Sequence, residues 1–405
     1  MSKTIVIFTE SYPFSLAKEG SFLEHEVQAL SKCFEQVIIC PRYVSSEVSH
    51  YDKSLGIIVD ESYASMSRVQ LSITKRLFTE FIELFKAFRT LDITAVKWFT
   101  RFIIEFSVLD KWFKNFCDKR KLNNSNVLFY SFWYMPVSAY LSYIKKATEV
   151  KVLTRVHGYD LYKERHRSGY IPFTEQSMPG FEQIFTVSEQ GRSYLYENYS
   201  LYKTTVKCSY IGVQSGINFE MRKQKNLIVS CSYALPVKRL DLLIEGLKIL
   251  GEKHRNRQFV WKHIGDGPLL DGLKRLSNEK LPDNIEVVFM GKVVTSDVYQ
   301  IMKEASVIVN VSLSEGLPIS SCEALESGLA VICTDVGGNA ETVSNGNGFL
   351  LSAKPKGIEV STALENILLN EGNVEVMGKK SRELWLSKFD ASKNAAKFAE
   401  FLKTL

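Results

Sequence analysis

Two glutamates with seven residues between them, Glu315 and Glu323, lie where an apolar segment gives way to a short helix-forming segment. A carboxylate only accepts hydrogen bonds, so two carboxylates held near a polyol can each accept from the hydroxyl groups of a sugar or a ribose. The same spacing also arises by chance in ordinary helices, where it marks a solvated face. The segments on either side of the pair favour a ligand site.

Those segments predict a strand, a loop, a helix and a second strand. Residues 305–311 form a β-branched run typical of a buried parallel strand, and residues 329–335 form another. Between them, Pro318 suits the first helical position and Gly328 suits a left-handed stop. The amino end of such a helix carries unpaired N–H groups and partial positive charge, which favour a diphosphate. Glu315 is therefore predicted at the carboxyl end of a strand, where open α/β sheets bind ligands.

This segment resembles the hallmark of the retaining, nucleotide-sugar-dependent glycosyltransferases of group 1. The matching residues are Glu315-Gly316-Leu317-Pro318, Glu323-Ala324, the run from Gly328 to Thr334, and Gly337-Gly338. The resemblance implies that Glu315 is a catalytic residue that contacts the hydroxyls of the donor sugar, and that Glu323 contacts the nucleotide ribose. It also implies that the transferred sugar and the diphosphate lie near Gly316, Leu317, Pro318 and Ile319.

A chain of 405 residues is longer than a domain with one hydrophobic core usually is, so the length predicts two domains. The resemblance implies the GT-B fold, an α/β architecture of two facing Rossmann-like domains with parallel sheets and a C-terminal helix that crosses back to the N-terminal domain. We expect an acceptor domain over residues 1–215, with a basic and aromatic helical insert over 71–121. A nucleotide-sugar-binding domain over 216–385 and a final helix over 386–405 would follow.

Three segments of the acceptor domain resemble the family's site. The loop from Glu10 to Gly20 is similar to that of group 1 enzymes acting on bacterial surface polysaccharides, although many relatives have two adjacent glycines where only Gly20 stands here. The His-Gly-x-Asp pattern at His157 and Asp160 implies a catalytic site, with His157 against the donor sugar and Asp160 near the acceptor or orienting the site. The structural alternative is that His157, at the end of a strand, forms its hydrogen bonds with the backbone and contacts no ligand. By the same likeness, Ser188 borders the donor crevice.

The donor domain opens with a strand that leads to Lys238, which matches the family lysine for the donor diphosphate. The arginine common five residues earlier is Tyr233 here, and the usual glycine before it is Ser232. One cationic phosphate contact is therefore missing unless Arg239 supplies it, and a planar bidentate partner is not freely replaced. Gly291 and Lys292 follow a strand where, in relatives, backbone groups meet the nucleotide base.

The insert over 71–121 carries eleven Lys and Arg against six Asp and Glu, a difference of +5 within a formal net charge of +6 for the chain. Eleven Phe and Trp recur there at helical spacing. This pattern fits amphipathic helices on an anionic membrane surface, and it fits aromatic core beneath solvated basic faces equally well. No nucleic-acid-binding motif accompanies the charge.

The remaining composition predicts a cytoplasmic protein, peripheral on the inner face of the cytoplasmic membrane. No apolar run approaches the core of a signal peptide or a bilayer span. The seven cysteines are scattered and include no Cys-x-x-Cys pair. We interpret them as reduced residues of the core. With no zinc pattern and no Asp-x-Asp motif, we expect no metal and no other cofactor.

The resemblance as a whole implies a hexosyltransferase that moves a sugar, with retention, from a UDP- or GDP-sugar to a saccharide acceptor. The expected acceptor is linked to a polyprenyl diphosphate, as in the synthesis of capsule or lipopolysaccharide. Lys238 and the helix amino end would stabilise the leaving group. The alternatives are a non-catalytic GT-B protein that serves as a membrane scaffold, favoured by Tyr233, and a GT-B phosphorylase or nucleotide-sugar epimerase.

Overall fold

The computed structural model describes residues 3–14, 19–45, 53–66, 80–122, 125–145, 150–201, 204–215, 224–344, 346–370 and 372–405. The chain divides into two compact units. Unit 1 comprises Met1–Ile211 and Ala391–Leu405, and unit 2 comprises Gly212–Asp390. These divisions fall at 211/212 and 390/391, beside the predicted boundaries at 215/216 and 385/386. The polar segment around Ile211 to Gln224 predicts an interdomain linker, and residues 216–223 of it lie outside the described residues.

Unit 1 is built on a parallel sheet of seven strands in the order β3-β2-β1-β4-β5-β6-β7. The strands are β1 Thr4–Thr9, β2 Gln36–Pro41, β3 Ile58–Val59, β4 Val127–Ser131, β5 Lys151–Val156, β6 Gln183–Thr186 and β7 Thr205–Cys208. The central strands are continuous apolar runs because helices cover both faces of a parallel sheet. In β1 and β5 every residue after the first is buried.

The helices of unit 1 are α1 Gly20–Cys33, α2 Phe81–Arg89, α3 Ile93–Arg120, α4 Pro136–Ile144, α5 Thr174–Ser177, α6 Glu189–Asn198 and α13 Ala391–Thr404. The last of these, α13, packs against α1. Its Phe398 ring contacts Phe185 of β6 at a centroid distance of 4.9 Å. The prediction that a C-terminal helix returns to the first domain is confirmed.

Unit 2 is built on a parallel sheet of six strands in the order β10-β9-β8-β11-β12-β13. The strands are β8 Leu227–Cys231, β9 Phe259–Ile264, β10 Ile285–Gly291, β11 Val307–Asn310, β12 Ala330–Thr334 and β13 Gly348–Leu351. The helices are α7 Leu240–Lys253, α8 Leu270–Lys280, α9 Thr295–Glu304, α10 Ile319–Glu326, α11 Gly357–Leu368 and α12 Asn373–Leu384. The predicted α/β class with two parallel-sheet domains is confirmed.

The aromatic residues of α3 belong to the core of unit 1. Phe99, Phe102, Phe106, Trp112 and Phe116 are all buried there. Core packing therefore explains the aromatic periodicity of this helix, and the membrane interpretation does not apply to these side chains. Residues 71–79 of the insert lie outside the described residues.

A different part of the insert is apolar and exposed. Ile82 and Phe85 of α2 are 71% and 56% exposed, and Leu91 and Ile93 at the start of α3 are 96% and 65% exposed. Among the described residues, no helix combines the length and the apolar composition that crossing a bilayer requires.

Candidate active site

An ion pair joins two loops at the carboxyl edge of the unit 2 sheet, the edge where its strands end. Lys238, in the turn after β8, places Nζ 2.6 Å from Oε1 of Glu315, in the loop after β11. The two loops also meet through their backbones, because the Leu313 N–H donates to the Val237 carbonyl at 2.8 Å. Strands β8 and β11 are neighbours in the sheet, which brings the two segments together.

Side chains around Glu315 all approach the same carboxylate oxygen. Besides Lys238, Oε1 accepts from the Ser312 hydroxyl at 2.7 Å and from the Asn310 amide at 3.3 Å. Among the described residues, Oε2 has no hydrogen-bond partner. It is also absent from the fully buried side-chain atoms that lack a partner, so Oε2 keeps some accessible surface. One oxygen thus fixes the carboxylate, and the other is available to accept from a ligand hydroxyl.

The loop that carries Glu315 is braced from behind by the turn after β12. Gly337 adopts φ +53°, and a Cβ added to it would lie 1.8 Å from the Glu315 carbonyl oxygen. The next residue, Gly338, donates its N–H to the Gly316 carbonyl at 2.7 Å. Only a residue without a side chain permits this approach, so the Gly337-Gly338 pair positions the Glu315 loop.

Helix α10 begins directly after this loop. The predicted assignment of Pro318 to the first helical position is wrong by one residue, since α10 starts at Ile319 and the Pro318 carbonyl accepts the first helical bonds, from Ser321 and Cys322. Gly328 has φ +67°, which confirms the predicted left-handed stop. Leu317 and Pro318 are buried, whereas Gly316 and Ile319 are half-buried.

The second glutamate of the pair, Glu323, lies on α10 about one turn from its start. It is half-buried, while the nearby Glu326 is buried and bound to Arg382 with an Nη1 to Oε1 distance of 2.6 Å. Of the two carboxylates, Glu326 therefore joins α10 to α12, and Glu323 is the more accessible one for a ligand.

The ends of β8, β9 and β10 form the other half of this edge. Gly291 has φ +65° and its carbonyl accepts from the Gly265 N–H at 2.9 Å, while Lys292 is exposed. Tyr233, in the loop after β8, is 57% exposed. Arg239, the residue that could supply the missing cation, lies in the turn that also carries Lys238. Its guanidinium donates to the carbonyls of Ala353 and Pro355 at 3.4 and 3.2 Å.

In unit 1, His157 follows β5 at the carboxyl edge of that sheet. Its ring stacks on Trp133 at a centroid distance of 3.8 Å, and its Nε2 lies 2.9 Å from the Phe132 carbonyl. Because a carbonyl only accepts, Nε2 carries the proton and Nδ1 is the acceptor. Burial, reinforced by the positive charge of Arg155, lowers the pKa of His157 to about 3. The imidazole is thus neutral at ordinary pH.

Asp160 uses both carboxylate oxygens on backbone groups. Oδ1 accepts from the His157 N–H at 2.6 Å and Oδ2 from the Tyr134 N–H at 2.7 Å. Burial raises the pKa of Asp160 to about 7, although these N–H donors oppose the shift. The carboxylate therefore holds the loops after β4 and β5 together, which makes Asp160 a positioning residue for His157.

A buried glutamate that sequence reasoning missed, Glu19, organises the loop before Gly20. Its carboxylate accepts from the N–H groups of Ser11 and Tyr12 at 2.7 and 3.0 Å and from the Trp133 indole at 2.6 Å. Gly20 itself is the first residue of α1. The acidic residue directly before Gly20 was the available sequence signal, since a carboxylate can accept from several backbone N–H groups of a strand-to-helix loop.

Two other residues of unit 1, Ser188 and Arg155, have structural roles. Ser188 is buried at the start of α6, where its hydroxyl accepts from the Gly191 N–H at 3.1 Å and caps the helix. Arg155 is fully buried and pairs with Glu26. Burying a charge without a partner is costly, so Glu26 accounts for a charged side chain in the core without any ligand.

Within the described ranges, no group of three or more His, Cys, Asp or Glu residues is arranged to hold a metal ion. The cationic groups that could face an anion in unit 2 are instead Lys238, the exposed Lys292 and the amino end of α10.

Comparisons with known proteins match the chain at two levels. Residues 218–384 match the family model described as glycosyl transferases group 1. An uncharacterized glycosyltransferase of Methanocaldococcus jannaschii is 24% identical over 262 residues, which cover 63% of this chain and 69% of the relative. A GDP-mannose-dependent alpha-(1-6)-phosphatidylinositol monomannoside mannosyltransferase of Mycobacterium tuberculosis is 27% identical over 197 residues, or 45% of this chain and 50% of the relative.

Among solved structures, HepE of Anabaena in complex with UDP and glucose superposes with a TM-score of 0.64 at 12% identity, over 100% of each chain. This likeness confirms the GT-B fold class. The match to the family model falls on unit 2, which carries Lys238, Glu315 and Glu323.

Proposed function

We propose that the chain transfers a sugar, with retention, from a nucleoside diphosphate sugar to a lipid-linked saccharide acceptor, because residues 218–384 match the family model of the group 1 glycosyltransferases. The observation that carries the proposal is the asymmetry of the Glu315 carboxylate. Oε1 accepts from Lys238, Ser312 and Asn310, while Oε2 has no hydrogen-bond partner among the described residues. A donor-sugar hydroxyl would donate to Oε2.

The diphosphate of the donor would lie between Lys238 and the amino end of α10. An ammonium group has three N–H donors, and Lys238 gives one of them to Glu315. The others, together with the unpaired N–H groups at the start of the helix, suit the phosphate oxygens. When the bond between the sugar and the diphosphate breaks, these groups would stabilise the negative charge that develops on the leaving group.

The nucleoside would lie along the carboxyl edge of the unit 2 sheet. Glu323, half-buried on α10, would accept from the ribose hydroxyls, and the Gly291-Lys292 segment would meet the base. A relative that uses GDP-mannose and a fold neighbour that holds UDP support a nucleoside diphosphate in general, and the base is left to experiment.

In unit 1, the residues around His157 would bind the acceptor saccharide. Its neutral imidazole packs on Trp133 and is hydrogen-bonded to the Phe132 carbonyl, while Asp160 holds the backbone N–H of the same residue. The ring therefore offers a hydrogen-bonding group of fixed orientation. A lipid-linked acceptor is supported by the phosphatidylinositol-linked substrate in the name of the mycobacterial relative and by the exposed apolar residues of α2. The reaction would take place at the inner face of the cytoplasmic membrane and use no metal.

The test is the release of free nucleotide from a panel of UDP- and GDP-sugars, with and without a bacterial lipid extract. Wild type and Glu315→Gln would be compared, with Glu279→Gln on the exposed face of α8 as the matched control. Release by wild type and the control, and not by Glu315→Gln, supports transfer and identifies the donor. Equal release by all three proteins would contradict the role of Glu315. Binding without turnover under any condition would favour a non-catalytic scaffold.

A further inference from the structure

A cavity of about 450 Å³ lies in unit 1, beside the end of β2. It is formed by the segment after β2, at Arg42 and Tyr43, and by one face of helix α3. The helical lining residues Val96, Lys97, Thr100, Arg101 and Ile104 recur at spacings of three and four, so they share that face. Its walls therefore combine apolar side chains with cationic ones.

The cations of the cavity differ in how firmly they are held. Arg42 is buried and bound to Glu105, with an Nη2 to Oε1 distance of 2.5 Å. Arg101 is about half-exposed and donates one hydrogen bond, to the Tyr43 hydroxyl at 3.0 Å. The only other carboxylate near either guanidinium among the described residues, that of Glu10, lies 3.9 Å from both.

Lys97, which is exposed, adds a third positive charge. Three cations against Glu105 and Glu10 leave a net charge of +1, and a guanidinium has five N–H donors. Arg101 and Lys97 therefore have the charge and the donors to bind phosphate oxygens.

The apolar end of this α3 face continues into the exposed apolar residues described above. Ile93 lies one turn before Lys97 on the same helix, and Leu91 precedes it. On α2, Ile82 and Phe85 point outward because the opposite face is anchored, with the buried Glu83 accepting from the Tyr170 hydroxyl at 2.8 Å and from the Phe173 N–H at 2.9 Å. We call Ile82, Phe85, Leu91 and Ile93 the apolar rim.

The cavity and His157 lie at the same edge of one sheet. Arg42 follows β2 and His157 follows β5, and β2, β1, β4 and β5 are consecutive in the sheet. Three strand spacings of roughly 4.8 Å separate them by about 14 Å. A saccharide could extend over that distance from a group held in the cavity.

We propose that this cavity binds the diphosphate of a lipid-linked acceptor, with Lys97 and Arg101 on the phosphate oxygens and the lipid chain leaving over the apolar rim. This inference rests on the proposed glycosyltransferase function and specifies the acceptor by its chemistry. A diphosphate matches the cations, and only a ligand that also carries a hydrocarbon chain matches the apolar rim beside them.

The test is equilibrium binding of farnesyl diphosphate to the full-length protein, with farnesol and inorganic diphosphate as separate probes. We expect farnesyl diphosphate to bind at least about tenfold more tightly than either probe. Lys97→Glu and Arg101→Glu should each weaken that binding by about tenfold or more, because each variant replaces attraction by repulsion. Lys114→Glu makes the same charge change on the exposed side of α3 about 20 Å away, and should have less than a twofold effect.

Binding of UDP and GDP is measured on the same preparations, so that a failure of the donor site is seen separately from a failure of this cavity. Farnesyl diphosphate that binds no better than inorganic diphosphate would overturn the proposal in favour of a simple anion site. Equal weakening by all three variants would also overturn it, because attraction to the general positive charge would then explain the binding. Binding of farnesol as tight as that of farnesyl diphosphate would remove the role of the cations.

Discussion

Lys238 and Glu315 form a part-buried ion pair, with 2.6 Å between Nζ and Oε1, although 77 residues separate them in the chain. The pair holds the ammonium group beside Oε1 and leaves Oε2 without a hydrogen-bond partner among the described residues. A lysine and a glutamate placed in this way can act on adjacent parts of a single ligand, the diphosphate and the sugar.

Removing the Lys238 charge should weaken nucleotide binding. For Lys238→Met we expect the Kd of the preferred nucleoside diphosphate to rise by about 10- to 100-fold, since a charge-assisted hydrogen bond contributes about 1.5–3 kcal/mol. Isothermal titration calorimetry measures the change. The adjacent Arg239→Gln is the control, because that guanidinium is bound to the Ala353 and Pro355 carbonyls, and its Kd should stay within about twofold of wild type. An equal loss in both variants would contradict the assignment of the phosphate contact to Lys238.

Adding the missing cation at position 233 should strengthen nucleotide binding. Tyr233 is exposed at the carboxyl edge of the unit 2 sheet, so an arginine there can reach an anion without disturbing the core. For Tyr233→Arg we expect the Kd of the same nucleotide to fall by about three- to tenfold, and for Tyr233→Phe no change. An unchanged or higher Kd for the arginine variant would show that this edge does not face the phosphates.

A side chain at Gly337 should destabilise unit 2. In Gly337→Ala, the new Cβ would lie 1.8 Å from the Glu315 carbonyl oxygen. The alanine would also have to adopt the positive φ of +53° that glycine has there. We expect a loss of at least about 3 kcal/mol in the free energy of unfolding, together with weaker nucleotide binding. Gly372→Ala, at φ +82° with open space around it, should lose only about 1–2 kcal/mol. Similar losses in the two variants, measured by urea unfolding, would show that the Glu315 loop accommodates the methyl group.

His157 should remain neutral far below the usual pKa of histidine. In NMR spectra of ring-labelled protein, we expect its resonances, identified by their loss in His157→Gln, to show the Nε2-protonated tautomer down to about pH 4. Titration near pH 6.5 would refute this prediction.

The same depressed pKa makes stability depend on pH. Between the folded pKa of about 3 and the usual value of 6.5, the unfolded chain binds more protons than the native one, so stability rises with pH and is lost as pH falls through this window. The advantage of wild type over His157→Gln in unfolding free energy should therefore be about 2 kcal/mol larger at pH 6.5 than at pH 5. A constant difference across this range would mean that His157 has the same proton affinity in both states.

Local sequence patterns anticipated the elements of the donor site but not its internal contacts. Glu315, the helix after it and the stop at Gly328 are close in the chain, where strand and helix signals are strongest. The convergence of Ser312, Asn310 and Lys238 on one oxygen of Glu315 depends on side-chain directions and on a neighbouring strand, which no local pattern encodes. The same holds for the stacking of His157 on Trp133.

The aromatic residues of α3 show a different limit. A stripe of aromatic residues at spacings of three and four predicts an amphipathic helix and leaves open what covers the apolar face. Burial of Phe99, Phe102 and Phe106 answers that question for α3, whereas Ile82 and Phe85 of α2 follow a similar pattern and are exposed. Sequence periodicity alone cannot separate these two helices.

The return of α13 to unit 1 affects how the protein is made. A ribosome would deliver the whole of unit 2 before Phe398, whose ring packs on Phe185 and lies 4.5 Å from the Arg155 guanidinium carbon. Until those residues emerge, the buried Arg155–Glu26 pair is covered by the Tyr130 and Phe132 rings but lacks the ring of Phe398, so unit 1 cannot complete its core during synthesis even though most of it is made first. A nonsense codon within residues 391–405 would consequently damage the domain that was translated earliest and leave the later one intact.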